Sequence, residues 1–116
     1  MDMRDLQTKV IQFRDERDWA QYHNPKDLAI SLSLESAELL EVFQWKDAAQ
    51  VDALKSDSKV RQRVREELGD IFIYALTLAH EFGLNPEDVI LDKVRVNEEK
   101  YPADKVRGRA DKYSAY

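Results

Sequence analysis

The chain has 116 residues, 43% hydrophobic and 35% charged, with eighteen Lys and Arg against twenty-three Asp and Glu for a net charge of −5. That is one domain with enough apolar content for a core. It excludes a fully disordered chain, and the acidic balance speaks against a broad nucleic-acid-binding face, which needs clustered Lys and Arg. The lack of any cysteine excludes disulfide scaffolds, thiol catalysis and thiolate zinc sites.

Three Gly and three Pro leave little turn chemistry for a β-fold, and no alternating strand pattern is present. Residues 3–20 suit a first amphipathic helix, with Leu6, Val10 and Phe13 on one face. Asn24-Pro25-Lys26-Asp27 is a helix start: Asn24 caps, Pro25 loses no hydrogen bond, and Asp27 places negative charge in the first turn. The second helix runs to about Trp45. Residues 46–58 are polar and hold a short helical turn and a loop. Asp57 or Ser58 caps a third helix that reaches about Phe82, where Gly83 is a natural terminator. Asn85-Pro86 opens a fourth helix, and Pro102 closes it. Residues 1–102 are thus expected to form an all-α bundle of four main helices. Residues 103–116, with Lys105, Arg107, Arg109 and Lys112, are expected to be a basic, mobile tail. No apolar run is long enough for a transmembrane helix, and the first five residues carry charges of both signs, not an apolar signal core. A cytoplasmic protein without a membrane partner is the default expectation.

The second helix carries acids where a core is expected. From Leu28 to Phe43, ten residues are apolar, three are Ser and three are Glu, and no Lys or Arg lies between Lys26 and Lys46. At about 100° per residue, Leu28, Leu32, Leu39 and Val42 fall within about 60° of Glu35, and Glu38 lies one turn further on. The third helix repeats the pattern. Glu67 shares an arc with Val60, Val64, Ile71, Tyr74 and Leu78, and Asp70 follows one turn later. Two matched i, i+3 acid pairs can face each other across an antiparallel hairpin. Four facing carboxylates repel unless a cation joins them, and oxygen-only ligands suit Mg²⁺ or Mn²⁺. Pairing with Arg or Lys from another helix or subunit is the structural alternative. Glu41 and Glu66 lie off these arcs and read as structural or solvated, with Glu66 able to support the site indirectly. A di-iron bundle fails on its ligands: three residues before His23 and His80 stand Ala20 and Thr77, not Glu.

The fourth helix groups Lys93, Asn97 and Lys100 beside Ile90, a pattern that is solvated on its own but can hold phosphate beside a carboxylate–metal cluster. Trp19, Tyr22, Phe43, Trp45 and His23 cluster near the ends of the first two helices, where aromatic residues either pack or sandwich a flat ligand. Phosphate-binding glycine loops are absent.

The stretch Leu34-Glu35-Ser36-Ala37-Glu38 through Phe43-Gln44-Trp45, followed by Glu66-Glu67-Leu68-Gly69-Asp70, resembles the E-x-x-E…E-x-x-D signature of MazG-like nucleotide pyrophosphohydrolases. Within that superfamily the chain is most similar to the dCTP pyrophosphatase branch, through Phe13-Arg14-Asp15-Glu16-Arg17-Asp18-Trp19, His23-Asn24-Pro25, Phe43-Gln44-Trp45-Lys46 and Lys100-Tyr101-Pro102. The resemblance implies Mg²⁺-dependent hydrolysis of a nucleoside triphosphate, dCTP or a modified dCTP first, to the monophosphate and pyrophosphate. It implies Glu35, Glu38, Glu67 and Asp70 as metal ligands. Trp19, His23 and Trp45 are then in the base pocket, and Tyr74, Lys93 and Asn97 on sugar or phosphate. It also implies a dimer of dimers with sites completed by neighbouring subunits. Glu38 is the acid we expect to orient or deprotonate the attacking water. A homo-oligomer agrees with helix two, where Ile30, Leu34 and Ala37 lie far from the Glu35 arc and one short chain cannot cover both faces. The rivals are a related pyrophosphohydrolase for dATP or dUTP and a non-catalytic helical interaction module.

Overall fold

The computed structural model describes residues 1–110 and Ser114. Its elements are α1 (Met3–Glu16), a 3₁₀ turn (Ala20–Tyr22), α2 (Pro25–Phe43), α3 (Ala48–Leu54), α4 (Ser58–Glu81), α5 (Pro86–Lys100) and a short α6 (Ala103–Val106), with no strand among the described residues. The fold is all-α, as the sequence implies. α2 packs on α4, and α1 bridges α4 and α5.

Local chemistry accounts for the helix ends. The Asn24 side chain accepts from the Asp27 N–H at 2.9 Å, and Asp57 accepts from the backbone N–H groups of Lys59 and Val60. Asn85 caps α5 with Pro86 in its first turn. Gly83 ends α4 in the left-handed conformation with φ 64°. Two boundaries differ from expectation. α1 stops at Glu16 because Asp18 also enters the left-handed region, at φ 55°. The segment after Pro102 begins with α6, while Lys112 of the expected mobile tail lies outside the described residues.

The α2–α4 face is the one the periodicity implies. Leu28 and Val42 are buried and Leu32 and Leu39 half-buried; opposite them Val60, Val64, Ile71, Tyr74 and Leu78 are all half-buried. The buried face of α1 is rotated from the expected one, of which only Val10 is half-buried. Gln7, Ile11 and Arg14 point inward, while Leu6 and Phe13 are exposed. The polar tips of that inward face find partners: Gln7 Nε2 donates to the Leu76 carbonyl at 3.1 Å, and Arg14 Nη1 meets Glu81 Oε1 at 2.7 Å. Satisfied donors make this burial tolerable and pin α1 to the end of α4.

Much apolar surface stays uncovered. The accessible area is 9046 Å², against about 6,500 Å² for a compact monomer of this mass. The radius of gyration is 17.5 Å, where about 13 Å is usual for this length. Ile30, Leu34 and Leu40 on α2, Phe72 and Ile73 on α4, and Val89, Ile90, Leu91 and Val94 on α5 are all exposed. A groove of about 1000 Å³ opens along the N-terminal half of α4, with Phe43, Leu54, Leu68 and Phe72 in its wall beside Arg61 and Arg65, and it reaches Val60 and Val64 of the Glu67 arc.

Candidate metal centre

Glu35 sits seven residues from both Leu28 and Val42, so the helix turn that buries those two side chains also aims Glu35 at α4. Glu67 comes from the facing arc of α4. The approach of Glu35 to Glu67, together with Glu41 Oε2 near Arg63 Nη2 at 3.7 Å, fixes α2 and α4 as antiparallel. Glu35, Glu38 and Glu67 each bring one carboxylate oxygen within 4.8 Å of the others, an arrangement able to hold a metal ion. Asp70 is exposed and outside that triad, though its charge still reaches Glu35.

The electrostatics match a site that wants positive charge. The Glu35 pKa is raised from 4.5 to about 7, first by its hydrogen bond with Glu67, then by burial, then by Glu38 and the charge of Asp70. Without a cation, a proton held on Glu35 relieves the repulsion. Glu35 Oε2 and Glu67 Oε2 are also buried without a hydrogen-bond partner. None of the ion pairs described among residues 1–110 engages Glu35, Glu38, Glu67 or Asp70. Two orphaned inward oxygens in an all-oxygen donor set fit a hard divalent cation. Glu41 and Glu66 stand aside, Glu41 near Arg63 and Glu66 accepting from Gln62 at 3.1 Å.

A sequence profile of the MazG-like family matches residues 30–115, which include both acid pairs. The chain belongs to the MazG-like family. It is 35% identical to dCTP pyrophosphatase 1 of Rattus norvegicus over 112 residues, and 33% identical to the Homo sapiens protein of that name over the same length. Both matches take in 97% of this chain, which spans 66% of the length of those relatives. A solved pyrophosphatase from Archaeoglobus fulgidus superposes with a TM-score of 0.76 at 40% identity, covering 86% of this chain and 92% of that one.

The remaining family-implied positions are spread over the chain. Tyr74 is half-buried on α4, one turn beyond Asp70 on the Glu67 arc. His23 follows the 3₁₀ turn, half-buried, with Nδ1 enclosed and unpartnered. Trp19 stands just before that turn with its ring edge-on to Phe13, centroids 5.8 Å apart. Trp45, at φ 68° just past the end of α2, is 92% exposed, so no part of the described chain encloses it. Lys93 and Asn97 are exposed on α5, the helix that packs on α1. Three of the four acids therefore assemble within one chain, whereas Trp45, Lys93 and Asn97 stand exposed. Sequence periodicity missed the Arg14–Glu81 anchor, because Arg14 lies in a charge-dense stretch and its partner is 67 residues away.

Proposed function

We propose that the chain is a Mg²⁺-dependent nucleoside triphosphate pyrophosphohydrolase acting on dCTP or a modified dCTP, releasing the monophosphate and pyrophosphate. The observation that carries this is the Glu35–Glu38–Glu67 triad with its two orphaned oxygens, set in a MazG-like chain. Relatives named dCTP pyrophosphatase 1 and a structural neighbour named a pyrophosphatase support the reaction, and the first of these supports the base.

Glu35, Glu38, Glu67 and Asp70 would hold the cation, Mg²⁺ or Mn²⁺. Bound there, it would neutralise phosphate charge and make water a better nucleophile. Glu35 and Glu67, the half-buried pair, would hold it from the inner side. Glu38 is exposed, and it would orient the attacking water and take its proton. Tyr74 continues the same arc toward the sugar, and Lys93 and Asn97 supply charge and hydrogen bonds for phosphate and ribose. Trp19, His23 and Trp45 would form the base pocket, where stacking on indole is favourable. Residues 1–102 carry every one of these groups, and no catalytic role is assigned to 103–116.

The working unit is a homo-oligomer, a dimer or dimer of dimers. The excess exposed area, about 2,500 Å², exceeds what a standard interface buries, and Trp45 has no cover among the described residues. No helix among the described residues is long and apolar enough to cross a membrane. A cytoplasmic place in nucleotide-pool clearance, without nucleic acid or membrane partners, follows from the substrate.

The test is product analysis by anion-exchange chromatography after incubation with dCTP and Mg²⁺. Equal amounts of dCMP and pyrophosphate are expected. dCDP with inorganic phosphate would place the cut at the wrong bond, and unchanged dCTP from folded protein would favour the interaction module.

A further inference from the structure

We infer that Phe13 and Asp18 are positioning residues that set the plane of the Trp19 indole and, through it, the choice of base. This rests on Trp19 being a base contact, as proposed above. It concerns how the chain holds that ring.

α1 and α4 end in the same motif. At the end of α4, Gly83 N–H donates to the His80 carbonyl at 3.0 Å and Leu84 N–H to the Ala79 carbonyl at 2.9 Å. At the end of α1, Asp18 N–H donates to the Asp15 carbonyl and Trp19 N–H to the Arg14 carbonyl, both at 3.1 Å. Each is a Schellman cap, and each needs one left-handed residue, Gly83 at φ 64° and Asp18 at φ 55°. Glycine takes that conformation freely, whereas aspartate must give up backbone comfort. A side chain at this position therefore calls for a reason, and one contact supplies it: Gln21 Nε2 donates to Asp18 Oδ2 at 3.1 Å, adding to its 3.0 Å bond to the Asp18 carbonyl and clamping the turn on the far side of Trp19.

The Schellman cap characteristically brings the residue after the left-handed one against the helix turn before it. Here that contact is Trp19 on Phe13, ring planes at 74°. Phe13 is itself held by Arg17. The Arg17 guanidinium lies 3.7 Å from the Phe13 centroid, and Arg17 Nη1 donates to the Phe13 carbonyl at 2.9 Å. The helix end beneath is anchored by buried Arg14, 7% exposed, on Glu81. Trp19 nevertheless remains 44% exposed. One edge of the indole is fixed while much of its surface stays open, as a stacking platform for a flat ligand requires. Phe13 is itself 49% exposed and contributes little to the core, so its use is in the orientation of its neighbour.

Stacking on one aromatic is worth enough that loss of ring orientation is measurable in substrate affinity. The experiment measures kcat and KM for dCTP and dTTP, together with Tm, for the full chain and four variants: Trp19→Ala, Phe13→Leu, Phe13→Tyr and Asp18→Gly. Phe13→Leu and Asp18→Gly should each raise KM for dCTP about three- to tenfold, with kcat within about twofold, and should narrow the preference for dCTP by a similar factor. Phe13→Tyr keeps the edge contact and should restore both. Asp18→Gly should hold or raise Tm, since glycine relieves the left-handed backbone, so a loss of affinity there cannot come from unfolding. If Trp19→Ala raises KM while Phe13→Leu and Asp18→Gly leave it unchanged, Phe13 and Asp18 are only a helix cap and the inference falls. If Trp19→Ala leaves KM unchanged, Trp19 is not a base contact and the inference falls with that assignment, while the pyrophosphohydrolase reading stands. No turnover of any nucleotide by the unaltered chain would overturn both.

Discussion

Replacing Glu35 by Gln tests the acid cluster through stability as well as turnover. In the metal-free protein, Glu35 holds its proton from its ordinary value of 4.5 up to about 7. Over that window the folded state binds more protons than the unfolded one, so stability falls as pH rises through it. Above about pH 8 the full penalty of the ionised group is felt. A shift of that size corresponds to about 3 kcal/mol at most. Solvent reaches the half-buried site and screens it, which brings the penalty to about 1–2 kcal/mol. Gln keeps the shape and a hydrogen-bond donor toward Glu67 but carries no charge. Melting followed by circular dichroism in chelator should therefore show Glu35→Gln about 4–10 °C above the unaltered chain at pH 8. At pH 5, where Glu35 keeps its proton when folded and unfolding must ionise much of it, most of that difference should disappear. Turnover should be lost at every pH. A variant that melts below the unaltered chain at pH 8 in chelator would refute the reasoning, because it would mean that the Glu35 charge is paired and stabilising.

Three further outcomes follow from the packing. Leu28, 1% exposed between α2 and α4, should cost about 2–5 kcal/mol on replacement by Ala, measured by urea unfolding. Arg14→Met should cost about 2 kcal/mol, because it leaves Glu81 without its 2.7 Å partner in a partly buried place; the loss should shrink when Glu81→Gln is added, as a double-mutant cycle would show. Phe72, 60% exposed in the α4 groove wall, is expected to lie under a second copy, so Phe72→Asp should lower the mass seen by light scattering while leaving the helical circular dichroism signal intact.

The helix starts at Asn24-Pro25 and Asn85-Pro86 and the stop at Gly83 were legible in the sequence because each is decided by chemistry within a few residues. The facing acids were legible because a heptad-spaced apolar arc around Glu35 and another around Glu67 leave each other as the natural target. The end of α1 was not, since it depends on Asp18 accepting a conformation that glycine normally fills. Nor was its inward face. Leu6 and Phe13 look like core by type, yet Gln7 and Arg14 are buried because the Leu76 carbonyl and Glu81, about 70 residues away, satisfy them. Residue type at Trp45 suggested a pocket wall but could not convey that the chain leaves it 92% exposed. Such information lies in the tertiary arrangement and in whatever covers it.

The central claim is that the α2–α4 carboxylates form a metal centre for triphosphate hydrolysis. Pyrophosphate release from a panel of NTPs and dNTPs, with Mg²⁺ and with chelator, tests it most directly, run beside Glu67→Gln. Mg²⁺-dependent release is expected, fastest with dCTP, abolished by chelator and by Glu67→Gln in a protein that still folds. Release that persists in chelator, or that survives Glu67→Gln undiminished, would contradict it.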